Sequence, residues 1–275
     1  MTTQRGFTLI ELAIVLVIIT ILIGGLAVPL SAQIQARRIA ETNKTLEEAQ
    51  AAIAGYAITH TCSCVYNDVA PTGTALPFPQ TTCTACPPKN PSSSDTTLKR
   101  PYLPCPAGVD GREDRTGAAC NRQDGLLPWV DLATAAQDAW GNRLRYAVDT
   151  DLANSTDFAK GIHNTSSGAW NQISSSITKC APLDVDVAAN VPIALLSHGP
   201  NGRGARNINI PQSSATPAPP AATSPDELQN LGSVQTGCTT KNFISRSPSE
   251  DFDDLMAWVS FPQLVNRVCP AGGCP

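Results

Sequence analysis

The stretch Arg5-Gly6-Phe7-Thr8-Leu9-Ile10-Glu11 stands directly before the apolar run Leu12 to Leu30. As a helix that run extends about 28 Å at 1.5 Å per residue, enough to cross a hydrocarbon core. One carboxylate, Glu11, sits at its threshold. Burying an ionised carboxylate in lipid is costly, so a Glu in this place marks a functional site. A secretory signal peptide ending near Ser31-Ala32 fits less well, because its apolar core is shorter and carries no acid.

Beyond Leu30 the pattern stays helical but becomes amphipathic. Ile39, Leu46 and Ile53 recur every seven residues, and Thr42, Ala49 and Tyr56 form a second row. Glu41, Lys44, Glu47 and Glu48 fall off that stripe. One helix over 7–60 is therefore expected, weakened near Gly24, Gly25 and Pro29. Its amphipathic half has to pack on a sheet of its own domain or against a second helix.

The basic residue, Gly6-Phe7, Glu11 and the apolar run together resemble the N-terminus of type IV pilins and of the pseudopilins of type II secretion systems. The resemblance implies a leader over 1–6, cut by a prepilin peptidase between Gly6 and Phe7, and N-methylation of Phe7. It implies that Glu11 pairs with the Phe7 amine of a neighbouring subunit during assembly, which offsets its charge. It also implies a fold. An α+β protein is expected, its long N-terminal helix (7–30 membrane-spanning and filament core) packed on an antiparallel β-sheet head over 61–275 with disulfide-bonded loops. Partners would be other copies or other pilin-like subunits, the peptidase, an inner-membrane assembly platform and the inner membrane itself. The protein would pass the inner membrane once with its head in the periplasm, then enter a pilus or pseudopilus.

Composition is consistent with an exported, loop-rich head. Of 275 residues, 42% are hydrophobic and only 15% charged, with 23 Pro and 19 Gly. The net charge of -4 argues against holding nucleic acid by phosphate neutralisation, and none is expected as a partner. All ten cysteines follow the apolar run: Cys62, Cys64, Cys83, Cys86, Cys105, Cys120, Cys180, Cys238, Cys269 and Cys274. An even number in a segment facing an oxidising compartment reads as disulfides. Zinc is the competing reading of the Cys62/Cys64 and Cys83/Cys86 doublets, but the first is tighter than usual ligand spacing. Cys105 with Cys120 and Cys269 with Cys274 would close short loops.

Within the head, Gly125 to Trp129 offers an aromatic side chain to a core. Asp138-Ala139-Trp140-Gly141-Asn142 reads as a turn, followed by a strand with Leu144, Tyr146 and Val148 on one face and Arg143 and Arg145 on the other. Val191 to Ser197 reads as a buried strand with Pro192 at its start, running into the glycine-rich turn His198 to Gly204. These segments resemble the Asp-Pro-Trp-Gly and Ser-x-Gly-x-(Asp/Asn)-Gly patterns of major pseudopilins, with Ala139 replacing the proline and Asn201 the Asp. Pro211 to Pro225 reads as an extended or disordered tract. Leu255 to Val259 reads as a last strand covered on both faces, with a helix over 262–268.

Among Glu250, Asp251, Asp253 and Asp254, the set Asp251, Asp253 and Asp254 is the candidate calcium site, since calcium takes oxygen ligands from carboxylates and carbonyls. The pseudopilin resemblance implies the same, because an Asp-rich loop after that turn binds calcium there. An enzyme is not expected. Ser197 and His198 are strand neighbours that point to opposite faces, and His60 and His163 read as surface residues. Three roles remain open within this reading: a pilus subunit, a type II secretion pseudopilin, or a minor or tip pilin acting as an adhesin.

Overall fold

In the computed structural model, residues 8–67, 70–74, 81–82, 97–154, 161–162, 170–176, 185–208, 224–232, 237–239, 241–269 and 274 are described, the side chains of 23–29, 65–67, 70–74, 81–82 and 97 excepted. Gly6, Phe7, Cys83, Cys86, Cys180 and His163 lie outside this set, as does most of the Pro211–Pro225 tract. Helix α1 covers Leu9–Thr59 and is continuous through Gly24, Gly25 and Pro29. The chain forms two compact units, Met1–Glu41 and Thr42–Pro275.

The first unit is the start of α1. Its described apolar side chains are exposed, from Leu9 at 89% through Ile21 at 68% to Leu30 at 58%. Among the described residues, no helix is long and apolar enough to cross a membrane; the run Leu12 to Leu30 includes 23–29, whose side chains are not described.

The second unit is the head, an α+β domain. After α1 come β1 (Thr61–Asn67), β2 (Ala70–Thr74), β3 (Thr81–Thr82), β4 (Thr97–Pro101), β5 (Arg115–Thr116), β6 (Ala119–Cys120) and β7 (Asp124–Leu126). There follow α2 (Trp129–Leu132), β8 (Arg145–Val148), β9 (Asn171–Ser174), β10 (Ala188–Val191) and β11 (Ile193–Ser197). The chain ends with α3 (Pro225–Asn230), β12 (Asn242–Ile244), β13 (Leu255–Val259) and α4 (Phe261–Val268). The central sheet has the order β13-β11-β8-β7 and is antiparallel throughout. The flanking sheets are mixed: β3 pairs parallel with β1, and β12 parallel with β9.

The amphipathic half of α1 packs in cis. Thr42, Leu46, Ala49, Ile53 and Tyr56 are buried, and Ile39 is half-buried. The four apolar members join Leu144, Tyr146, Val148, Ile193, Leu195 and Val259 of the central sheet in one core. Burying each large aliphatic side chain there stabilises the head by about 1.5–3 kcal/mol before entropy is counted. The opposite face of the sheet carries Ala147, Ala194, Met256 and Trp258, which pack on Ile173 and Phe243 of the β9 sheet. Strand β13 is thus covered on both sides. Pro192 precedes β11, where it costs no ladder hydrogen bond.

Trp129 corrects one expectation. In its segment Leu127 and Pro128 are the buried residues. Trp129 is half-buried, with Gly111 pressed against its indole at a φ of 74° and Arg143 stacked 4.2 Å from the ring centroid. A Cβ on residue 111 would fall 2.0 Å from the ring, so only glycine fits.

Disulfides join Cys105 to Cys120 and Cys269 to Cys274. Cys62, Cys64 and Cys238 are disulfide-bonded as well.

Candidate functional site

Two groups of residues carry chemistry. The first is the start of α1. Thr8 is the residue before the helix and Glu11 the third within it, the spacing of a capping box. The Thr8 amide and hydroxyl both donate to Glu11 Oε2 at 2.8 Å, and the Glu11 amide donates to Thr8 Oγ1 at 3.4 Å. The carboxylate also lies where the helix dipole favours negative charge. Glu11 is exposed. The Thr-x-x-Glu signature is legible in the sequence, where it overlaps the motif that assigns Glu11 to assembly.

The second group is acidic and lies where the glycine-rich turn meets the loop before β13. Gly199 has a φ of 58°, and a Cβ there would stand 2.2 Å from the Asp253 carbonyl oxygen. Glycine therefore permits the close approach of turn and loop. Helix α3 adds Glu227, which is fully buried. Its neighbours fasten the helix: Gln229 donates to the Thr239 and Asn242 carbonyls at 2.8 and 3.0 Å, and Asn230 donates to the Ile244 carbonyl at 3.0 Å.

Carboxylate oxygens of Glu227, Asp253 and Asp254 lie within 4.8 Å of one another. Asn201 spans two of them, its amide donating to Asp253 Oδ2 at 2.8 Å and its Nδ2 to Glu227 Oε1 at 2.7 Å. Asp254 accepts from Asn230 Nδ2 at 2.8 Å, and its Oδ1 lies 3.3 Å from His198 Nδ1. Glu227 Oε2 and Asp253 Oδ1 remain buried with no hydrogen-bond partner. Arg203 Nη1 stands 3.9 Å from Glu227 Oε2.

Burial pushes the Glu227 carboxyl above its ordinary range, and the charges of Asp254 and Asp253 add to this against the Asn201 hydrogen bond and Arg203. Burial does the same to Asp253, with Asp254 adding to it. Buried anionic oxygens without donors are costly. Their convergence fits a hard cation that takes oxygen ligands.

Asp251 stands apart from this cluster. Its Oδ1 accepts from Ser249 at 2.5 Å and from Arg246 at 3.2 Å, and its side chain is 65% exposed. Glu227 escaped sequence reading because it follows the Pro-rich tract and belongs to no recognisable motif. Ser197 and His198 do turn to different partners, Asp138 and Asp254. His198 is fully buried, and His60 is half-buried with its ring stacked 3.7 Å from that of Tyr56, so the surface reading of His60 holds only in part.

Residues 1–27 match the family model described as the prokaryotic N-terminal methylation motif. No curated protein and no solved structure matches the chain. The chain therefore carries the signature of type IV pilins and pseudopilins at its N-terminus, which supports a pilin-like or pseudopilin protein.

Proposed function

We propose that this chain is a structural subunit of a type IV pilus-like filament. Prepilin peptidase cuts between Gly6 and Phe7, Phe7 is methylated, and the mature subunit is held in the inner membrane by residues 7–30 until the assembly platform extracts it. The observation that carries this reading is the methylation motif over 1–27. The exposed apolar side chains from Leu9 onward support it, since such a surface needs lipid or neighbouring helices around it. In the filament, helices of neighbouring copies or of co-polymerised pilins cover that surface, and Glu11 of one subunit meets the Phe7 amine of the next.

The test is a Glu11→Ala strain examined by electron microscopy and by mass spectrometry of sheared filaments. The reading requires a folded, processed subunit that is missing from filaments; normal incorporation of the variant would sink it. A Phe7 amine found unmethylated in assembled wild-type filaments would remove the processing part.

A second reading, a type II secretion pseudopilin, is favoured by one observation. The turn starting at Asp138 and the turn after β11 are hydrogen-bonded to each other and abut the acidic cluster. On this reading calcium sits among Glu227, Asp253 and Asp254. In that role it would offset three carboxylates and pin α3 to the β11 turn. Calcium should raise the unfolding temperature of wild type and leave Asp253→Asn unchanged; an equal rise in both would exclude the site.

A further inference from the structure

We propose that the cavity on the face of the central sheet opposite α1 binds a monosaccharide-sized ligand bearing an oxyanion, gripped by Arg143 and Arg206. The cavity measures about 360 Å³ and is lined in part by Arg122, Arg143, Arg145, Arg206, Asp124 and His198. That volume suits a small organic ligand. Four guanidinium groups against one carboxylate in the lining make it cationic.

The four arginines are not equivalent. Arg122 pairs with Asp114 at 2.6 Å. Arg145 pairs with Asp124 and donates to the Leu231 carbonyl at 3.1 Å. These two are satisfied and serve as walls. No ion pair joins Arg143 or Arg206 to a carboxylate among the described residues. Arg143 is half-buried and stacked on Trp129, and burial without a counter-ion lowers its pKa from the ordinary value. Stacking holds the planar fork in one orientation, which suits bidentate capture of a carboxylate or phosphate. The Arg143 amide donates to the Arg206 carbonyl at 2.7 Å, so the two residues are tied together through their backbones.

His198 adds a polar contact to the same lining. Leu196 pairs with Arg145 in register, so strand alternation puts His198 on the same face as Arg143 and Arg145. Its Nδ1 lies 3.3 Å from Asp254 Oδ1. Its Nε2 is buried and without a hydrogen-bond partner. A ligand hydroxyl, which can donate or accept, would satisfy Nε2 in either tautomer. An oxyanion at one end and hydroxyls at the other describe an acidic sugar, either a uronate or a sugar phosphate.

The experiment is calorimetric titration of the full chain in an amine-oxide detergent. D-glucuronate and glucose 6-phosphate are the two arms, with glucose, acetate and inorganic phosphate as controls. Saturable binding of either charged sugar is expected in the millimolar range or tighter, and the stronger arm identifies the oxyanion. Arg206→Gln and Arg143→Gln should each weaken it about tenfold. Arg206 is exposed, so its variant folds and carries the test even if Arg143→Gln does not. The proposal is overturned if neither charged sugar binds, if glucose binds as tightly, or if Arg206→Gln binds like wild type. Acetate or inorganic phosphate binding as well as the sugars would overturn the hydroxyl contact.

Discussion

Ser197 donates its hydroxyl hydrogen to Asp138 Oδ2 at 2.7 Å, across 59 residues of sequence. The other oxygen of Asp138 accepts the amides of Trp140 and Asn142, both at 2.9 Å. Asn142 Nδ2 then donates to the Gly199 carbonyl at 3.1 Å, and the Gly199 amide to Ser197 Oγ at 3.2 Å. Two turns that look separate in the sequence are one buried hydrogen-bonded unit. Asp138→Ala strands three donors and should cost the head about 3 kcal/mol, against about 1 kcal/mol for Ser197→Ala. Urea unfolding of both single variants and the double variant measures this. The double variant should lose clearly less than the sum of the two single losses, because the residues share a bond.

The acidic cluster gives a pH dependence whose sign is fixed. The Glu227 and Asp253 carboxyls are raised in the folded state, so between their ordinary and raised pKa values the folded form binds more protons than the unfolded form. Stability from these groups is therefore lost as pH rises through that window. In metal-free buffer, Glu227→Gln should gain on wild type as pH climbs from the ordinary carboxylate pKa towards neutrality. Adding calcium at neutral pH should close the gap by stabilising wild type alone. Thermal unfolding followed by circular dichroism reads both effects.

Cys105 is fully buried, and its bridge to Cys120 closes a loop of 15 residues. Replacing both cysteines by alanine should cost about 3 kcal/mol, largely by freeing the unfolded chain. The measurement is the unfolding midpoint of the double variant. The Cys269–Cys274 loop spans only 5 residues and should matter less.

Glu11→Gln separates two roles of one side chain. Glutamine serves at this position of a capping box, so the amides of the first turn should keep their hydrogen-exchange protection. Glu11→Ala should lose it. If charge pairing drives incorporation, both variants should fail to enter filaments; a competent Gln variant would assign the assembly defect of Glu11→Ala to the cap.

The parts of this fold that were readable in the sequence are those with strong periodicity. The seven-residue spacing of Leu46 and Ile53 placed the buried face of α1, and the alternation of Leu144, Tyr146 and Val148 placed the core face of β8. Asp253 and Asp254 stand out in the sequence because acids crowd one loop. Glu227 was hidden because its burial depends on α3 docking through Gln229 and Asn230, a tertiary event with no local signature. Trp129 misled for a related reason: size suggested a core residue, while Arg143 and Gly111 hold it at the surface layer.

If the chain polymerises as proposed, the cap formed by Thr8 and Glu11 has a consequence for how subunits would join. In the lone subunit the carboxylate already has two donors 2.8 Å away, so an arriving amine meets an occupied acceptor, not a bare charge. Joining is then an exchange of partners. Its speed is tied to how often the first turn of the helix loosens, and its direction to whether the newcomer binds more tightly than Thr8. On the proposed assembly, such a subunit would yield only to a correctly seated neighbour, and the end of the helix would act as a kinetic filter on polymer growth.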